Sequence, residues 1–191
     1  MTTISLDRCL CVHSMSQIID ITIQTILCHR KIIQDSMTNL IKFEPENKNV
    51  IKYLEICETL RKIFKACNSR VLKELVITLG PTPYMATEIY SIPLNFCDEH
   101  TGTMDYGCGD TCSQLMNKEK MNIFRKFQQM WQTIQGSVKK NSKLFIFLRV
   151  SEPLLNFSDI ENVEEDDGFE IPDETLIKRR NVLKYEIIVE K

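Results

Sequence analysis

Hydrophobic residues along this chain recur with two periods, and the switches between them mark its elements. Met15, Ile18, Ile19, Thr22, Ile26 and Cys28 fall at helical spacing, with Ile21, Ile23 and Leu27 on the other side. The spacing predicts a helix from a Ser14 or Ser16 N-cap to about Arg30, apolar on more than one face and therefore buried between layers. A polar connector follows, with one short extended piece at Leu40 to Phe43 closed by Pro45. Asn47 or Asn49 then caps a second helix, where Val50, Tyr53, Leu54, Cys57, Leu60, Phe64 and Cys67 make an apolar stripe opposite Lys52, Glu55, Glu58, Arg61, Lys62 and Lys65.

The period next changes to that of strands. "VLKELVITL" reads as one strand, "GPTP" turns the chain, and "MATEIYSIPLNF" is a second extended run with Ala86, Glu88, Tyr90, Ile92 and Leu94 on alternate positions. Pro93 cannot donate to a ladder, which places this strand at an edge or a bulge. Cys97 to Asn117, rich in Gly, Asp and Thr, reads as a loop. A third helix over Lys118 to Val138 presents Phe124, Phe127, Trp131, Ile134 and Val138, widened by Ile123 and Met130. It holds the chain's single tryptophan and is the candidate central core helix. "KLFIFLRV", Lys143 to Val150, reads as a buried strand, and "LKYEIIVE" as the last one. Residues 1–13 alternate only weakly, as a short edge strand does. The order predicts an α+β fold, a mostly antiparallel sheet with three helices on one face.

Between the last two strands lie about thirty residues, Ser151 to Val182, with no usable period, and so long an irregular connection inside a compact domain is usually functional. The stretch contains "SDIENVEEDDGFEIPDE" followed by "KRR", and an acidic cluster by itself is usually a solvated loop. Apolar residues nevertheless continue through it, at Leu154, Leu155, Phe157, Ile160, Val163, Phe169, Ile171, Leu176 and Ile177. Their burial falls short of the entropy lost in ordering the segment, so backbone pairing and local contacts must supply the rest, and docked and loose states lie near balance. That is the property of a clasp coupled to binding. If Lys143 to Val150 keeps a free edge, an extended peptide can join the sheet there while the segment closes over it.

Composition narrows the setting. An apolar share of 43% in 191 residues suits one domain, and a net charge of −2 gives no basic field for duplex nucleic acid. Direct DNA binding is not expected. No apolar run reaches the roughly 18 residues of a membrane span and the start lacks a signal-peptide core, so the expectation is an intracellular chain without membrane attachment. In that setting the eight cysteines read as reduced thiols.

"IKYLEICETLRKIFKACNSRVLKELVITL", "EIYSIPLNFCDEHTGTMDY" and "KEKMNIFRKFQQMWQTIQG" followed by "KLFIFLRV" resemble, in that order, the second helix and first central strand, the tyrosine-bearing strand and its turn, and the core helix and following strand of the HORMA domain family. "DDGFEIPDE" resembles part of a belt stretch in the meiotic chromosome-axis branch, with Gly168 and Phe169 on its Gly-Phe pair. The resemblance spans residues 15–190. It implies an N-terminal arm at 1–13, a core at 14–150, and at 151–191 a safety belt with a C-terminal strand. It also implies a non-enzymatic adaptor that captures closure-motif peptides of chromosome-axis or cohesin-associated proteins, can self-associate through its HORMA domains, and acts on chromosomes in the nucleus during axis assembly, synapsis and recombination. Carried over by position, the peptide would pair with Leu144, Phe145, Ile146, Phe147, Leu148 and Arg149. It would lie under Leu154, Phe157 and Phe169, above Phe127 and Trp131 of the core helix. The axis branch's "DY-x-P" is absent, and a chain that ends on a strand at Lys191, without a tail carrying its own closure motif, also suits the family's spindle-checkpoint branch. Residues 1–13 are another place that could hold such a motif.

Other chemistry has thinner support. Cys97, His100, Cys108 and Cys112 supply four N/S ligands for a zinc-stabilised interaction module, though the gap between the pairs is short for a finger. Cys9, Cys11 and His13 alternate on an extended segment and do not close a site alone. His29 and His100 are the histidines that a nucleophilic cysteine would need, but no phosphate cradle, hydrolase triad or metalloprotease motif accompanies them. Neither an enzyme nor a cofactor is expected. Lys139, Lys140 and Lys143, with Lys178, Arg179 and Arg180, form small basic clusters that read as a solvated face.

Overall fold

A computed structural model describes residues 2–6, 10–66, 71–96, 114–133, 142–151, 163, 166, 169–171 and 183–190. The fold is α+β: strands β1 (Thr2–Ser5), β2 (Leu72–Gly80), β3 (Glu88–Pro93), β4 (Lys143–Val150) and β5 (Leu183–Glu190), with helices α1 (Val12–His29), α2 (Met37–Phe43), α3 (Lys48–Ala66) and α4 (Asn117–Thr133). The strand order across the sheet is β1-β5-β3-β2-β4. β2 pairs antiparallel with β3 and with β4, whereas β5 runs parallel to both β3 and β1. The sheet is therefore mixed rather than mostly antiparallel. A short connection, residues 81–87, joins β2 to β3 and favours opposite directions, but β5 is reached through a long connection and is free to run parallel.

The helices hold one face. Met15, Ile18, Ile19, Ile23 and Ile26 of α1, Leu40 of α2, Val50, Tyr53, Ile63 and Phe64 of α3, and Ile123, Phe127, Met130 and Trp131 of α4 form one core with Leu75, Ile77, Leu79, Tyr90, Ile92, Ile187 and Val189 of the sheet. α1 packs on both α3 and α4 and buries more than half of its side chains, so it and not the tryptophan-bearing α4 is the central helix. Ile4, Leu6 and Leu10 extend that core, so the N-terminal residues are docked on the sheet, and β1 is an edge strand.

Local chemistry corrects several boundaries. Ser14 does not cap α1 as its N-cap residue: Cys11 does, its sulfur accepting from the Ser14 N–H at 3.4 Å while the Ser14 hydroxyl accepts from the Cys11 N–H at 3.0 Å. A thiol takes the place usually held by a hydroxyl, which hides the capping box from composition rules. Leu40 to Phe43 belong to helix α2 instead of an extended piece, because the Ser36 side chain accepts from the Asn39 N–H at 3.2 Å and starts a turn that closes before Pro45. Asn47 does receive the Asn49 N–H, at 3.0 Å, ahead of α3. The stripes of α3 and α4 are rotated from the predicted ones, leaving Leu54 and Phe124 exposed. β3 is interior, not at an edge. Pro93 is tolerated because it is the last residue of the strand, beyond the Glu88–Ser91 stretch that pairs with β5.

Candidate functional site

β4 occupies the predicted residues but is not the buried strand expected of "KLFIFLRV". It is an edge strand, paired among the described residues with β2 alone. Which of its backbone groups point outward follows from the ladder. Leu94 N–H donates to Lys73 C=O at 2.8 Å, so the odd residues of β2 turn toward β3 and the even residues toward β4. Their antiparallel partners on β4 are Lys143, Phe145, Phe147 and Arg149. In an antiparallel pair, alternate residues turn their N–H and C=O away from the neighbour. Leu144, Ile146, Leu148 and Val150 therefore direct theirs out of the sheet, as a row on which another strand can hydrogen-bond.

The side chains of this strand are divided between the two faces. Leu144, Ile146, Leu148 and Val150 pack on the helix-side core. Phe147 lies on the other face with Val76 and Ile89, and there it meets the segment between the last two strands: the Phe147 and Phe169 rings stack at 3.5 Å with 5° between planes, and Ile171 packs beside them. Tyr84, from the β2–β3 turn, tilts against Phe169 and donates its hydroxyl to Asp166 at 2.6 Å. Val163 packs instead against the helix-side core. Val163 and the pair Phe169 and Ile171 thus pack on opposite faces of the sheet. Every apolar side chain from Leu144 to Leu148 stays partly exposed.

Charge sits at the two ends of this edge. On the outer face Arg149 stands opposite Glu74 and contacts it at 3.3 Å, with the arginine 64% exposed and the glutamate 15%. Ser91 donates its hydroxyl to the other oxygen of Glu74. Lys143, exposed at the opposite end, faces Gly80.

Of the residues expected to form a peptide site, Leu144 to Arg149 and Phe169 are brought together, Phe169 directly on Phe147. Phe127 and Trp131 lie on the helix side, across the sheet from Phe169: Phe127 is fully enclosed in the core, and Trp131 is surrounded by Tyr90, His29 and Arg30. Leu154 and Phe157 are outside the described residues. So are Cys9, Cys97, His100, Cys108 and Cys112, the basic residues Lys139, Lys140, Lys178, Arg179 and Arg180, and Gly168. Among the described residues no group of His, Cys, Asp or Glu is placed to hold a metal ion, and no helix is long and apolar enough to cross a membrane.

A buried polar cluster went unread in the sequence. Arg30, just past the end of α1, pairs with Glu88 of β3 at 2.9 Å, with side chains 5% and 6% exposed. The Tyr90 hydroxyl donates to Glu88, the Tyr185 ring stacks on Tyr90 at 5.0 Å, and the Arg30 guanidinium lies 4.9 Å from the centre of the Trp131 ring. Burial, then the neighbouring Glu88 charge, holds the Tyr90 hydroxyl protonated well past its ordinary range and raises the Tyr185 hydroxyl as well. For Arg30 burial works against the charge, but the Tyr90 hydrogen bond and Glu88 outweigh it. The cluster ties α1, α4, β3 and β5 at one point and supplies no reactive group. A second network joins α1 to α3: Gln24 donates to Asp20 at 3.1 Å, Tyr53 also donates to Asp20, and burial pushes the Cys57 thiol up to about 11, so that cysteine is inert as a nucleophile.

No family model matches the chain, and no curated protein matches it significantly.

Proposed function

We propose that this chain is a peptide-capturing adaptor of the HORMA type, acting without enzymatic chemistry in the nucleus, on meiotic chromosomes, in axis assembly, synapsis and recombination. The observation that carries the capture reading is the edge of β4: Leu144, Ile146, Leu148 and Val150 direct main-chain groups outward that no described strand pairs with, along a strand whose apolar side chains are half-covered on both faces. Strand addition at such an edge draws affinity from the main chain and selectivity from the alternating side-chain positions. The segment that follows β4 touches both faces of the sheet through Val163, Phe169 and Ile171, as a clasp around an added strand would. With β5 paired to β3 at the far side, the C-terminal strand leaves the β4 edge to the ligand. The meiotic setting rests on the sequence resemblance, and the partners it points to are closure-motif peptides of chromosome-axis or cohesin-associated proteins.

Hydrogen exchange on the full chain, with and without fragments of axis proteins, tests the reading. The expected result is a joint gain of protection at Leu144, Ile146, Leu148 and Val150 and at residues 163–171 with one fragment. Unchanged exchange at the β4 edge with every fragment would remove peptide capture as the function. Protection by a kinetochore fragment alone would move the chain to the spindle-checkpoint branch.

A further inference from the structure

We infer that the segment captured on β4 carries an acidic residue beside Arg149, a second acidic residue beside Lys143, and an unbroken apolar run between them. The inference rests on the capture reading above and specifies the chemistry of its ligand. In paired strands, residues directly opposite share a face and their side chains touch. Arg149 and Lys143 both lie at odd positions, on the face of Phe147. Glu74 is already engaged from two sides, by Ser91 and by Arg149. Arg149 is largely exposed, and its guanidinium has further donors for a carboxylate on the next strand outward. The row across the sheet then alternates in sign: Glu74, Arg149, acidic residue. Lys143 faces Gly80, which offers no side chain, so a carboxylate on an added strand would be its cross-strand partner.

Between these two charges, both faces are apolar. Leu144, Ile146 and Leu148 project from the helix-side core, and Phe147 lies under Phe169. A strand covered on both sides is built from a continuous apolar run and not from alternating polarity. The same edge argues against a second copy of the chain as its occupant. Pairing β4 antiparallel with itself about Ile146 sets Lys143 against Arg149 at both ends, and like charges directly opposite are destabilising. Natural sheets use such charges to discourage edge-to-edge association, and here they favour a ligand of opposite sign.

The test is selection from a random peptide library displayed on phage, carried out in parallel on the full chain and on its Arg149→Glu variant, with Ile146→Pro as the edge control. Arg149→Glu sets a second carboxylate opposite Glu74 and should lower the thermal midpoint by a few degrees, but position 149 is largely exposed, so the variant stays folded, which the same measurement checks. The expected winners on the wild-type chain carry an apolar run bounded by acidic residues, and those on Arg149→Glu carry a basic residue at the end beside position 149. In direct titration, a selected acidic peptide should lose about fivefold in affinity on Arg149→Glu and regain it when its facing acid is changed to Lys. Winners that depend on the Ile146 N–H but carry the same end charge on both proteins would overturn the inference and leave edge capture standing. Failure to select any peptide sensitive to Ile146→Pro would overturn both. Concentration-dependent dimers of the wild-type chain that Ile146→Pro abolishes would identify the occupant as a second copy, against the inference.

Discussion

At Glu88 a single carboxylate accepts from Tyr90 and pairs with Arg30, all of it inside the protein. Removing one partner of a buried pair leaves the other charged and desolvated, so Glu88→Gln should cost about 3–5 kcal/mol, read from denaturant unfolding. A cost under about 1 kcal/mol would mean that water reaches Arg30. His29 sets a pH dependence nearby. Burial against Trp131, then the neighbouring Arg30 charge, lowers its pKa below 6.5. His13 is lowered as well, by burial and then by Arg61. For a group depressed in the folded state the unfolded chain binds more protons, so its stability contribution is present above pH 6.5 and is lost as pH falls through the lowered value. The melting temperature should fall from pH 7 to pH 5, by less in a His29→Gln variant; an unchanged slope in that variant would exclude His29 as a source. None of this was legible in the sequence. Glu88 sits in an ordinary strand alternation, and its partner Arg30 lies near the end of a distant helix, so only packing made them neighbours.

Among elements, β4 shows where a pattern stops being informative. Its limits, Lys143 to Val150, were readable because a β-prone apolar run between polar ends has few alternatives. Its position at the edge was not readable, because a strand covered by its own sheet and one awaiting a partner have the same apolar sequence. The outward groups make a sharp prediction. Ile146→Pro removes a donor that β2 does not use, so the chain should stay folded and lose peptide, whereas Ile146→Ala should keep both. Phe145→Pro breaks the ladder to β2 and should lower the melting temperature strongly. Equal melting losses for the two proline variants would refute the assigned register. The clasp can be tested separately: Phe169→Ala deletes the ring stacked on Phe147 and should cost about 1–3 kcal/mol, with faster hydrogen exchange at residues 169–171. Phe169 was named from the sequence through a Gly-Phe echo. Its partner Phe147 was named as a pairing strand residue, and the face they share follows from alternation along β4.

At the scale of the whole molecule, the described residues form one sheet backed by four helices, closed at its far edge by the N-terminal strand. Ile4, Leu6 and Leu10 are buried, and each such side chain contributes about 1.5–3 kcal/mol, together comparable with the net stability of a domain. Deleting residues 1–10 should therefore unfold the chain or greatly lower its melting temperature, with light scattering reporting association through the uncovered β5 edge. An unchanged melting temperature would show that β1 is dispensable. This arm was read only as a weak alternation, because four residues carry too little period to display a role that comes from pairing with the other end of the chain. By itself the sequence determined the long elements, the α+β class and the residues of the candidate edge strand, since these depend on periods repeated over many neighbouring positions. Only the tertiary structure decided the strand order and the parallel course of β5, the burial of Arg30 with Glu88, and the half-open state of β4. Each of these depends on contacts between segments far apart in the chain, where no local period records which surfaces meet.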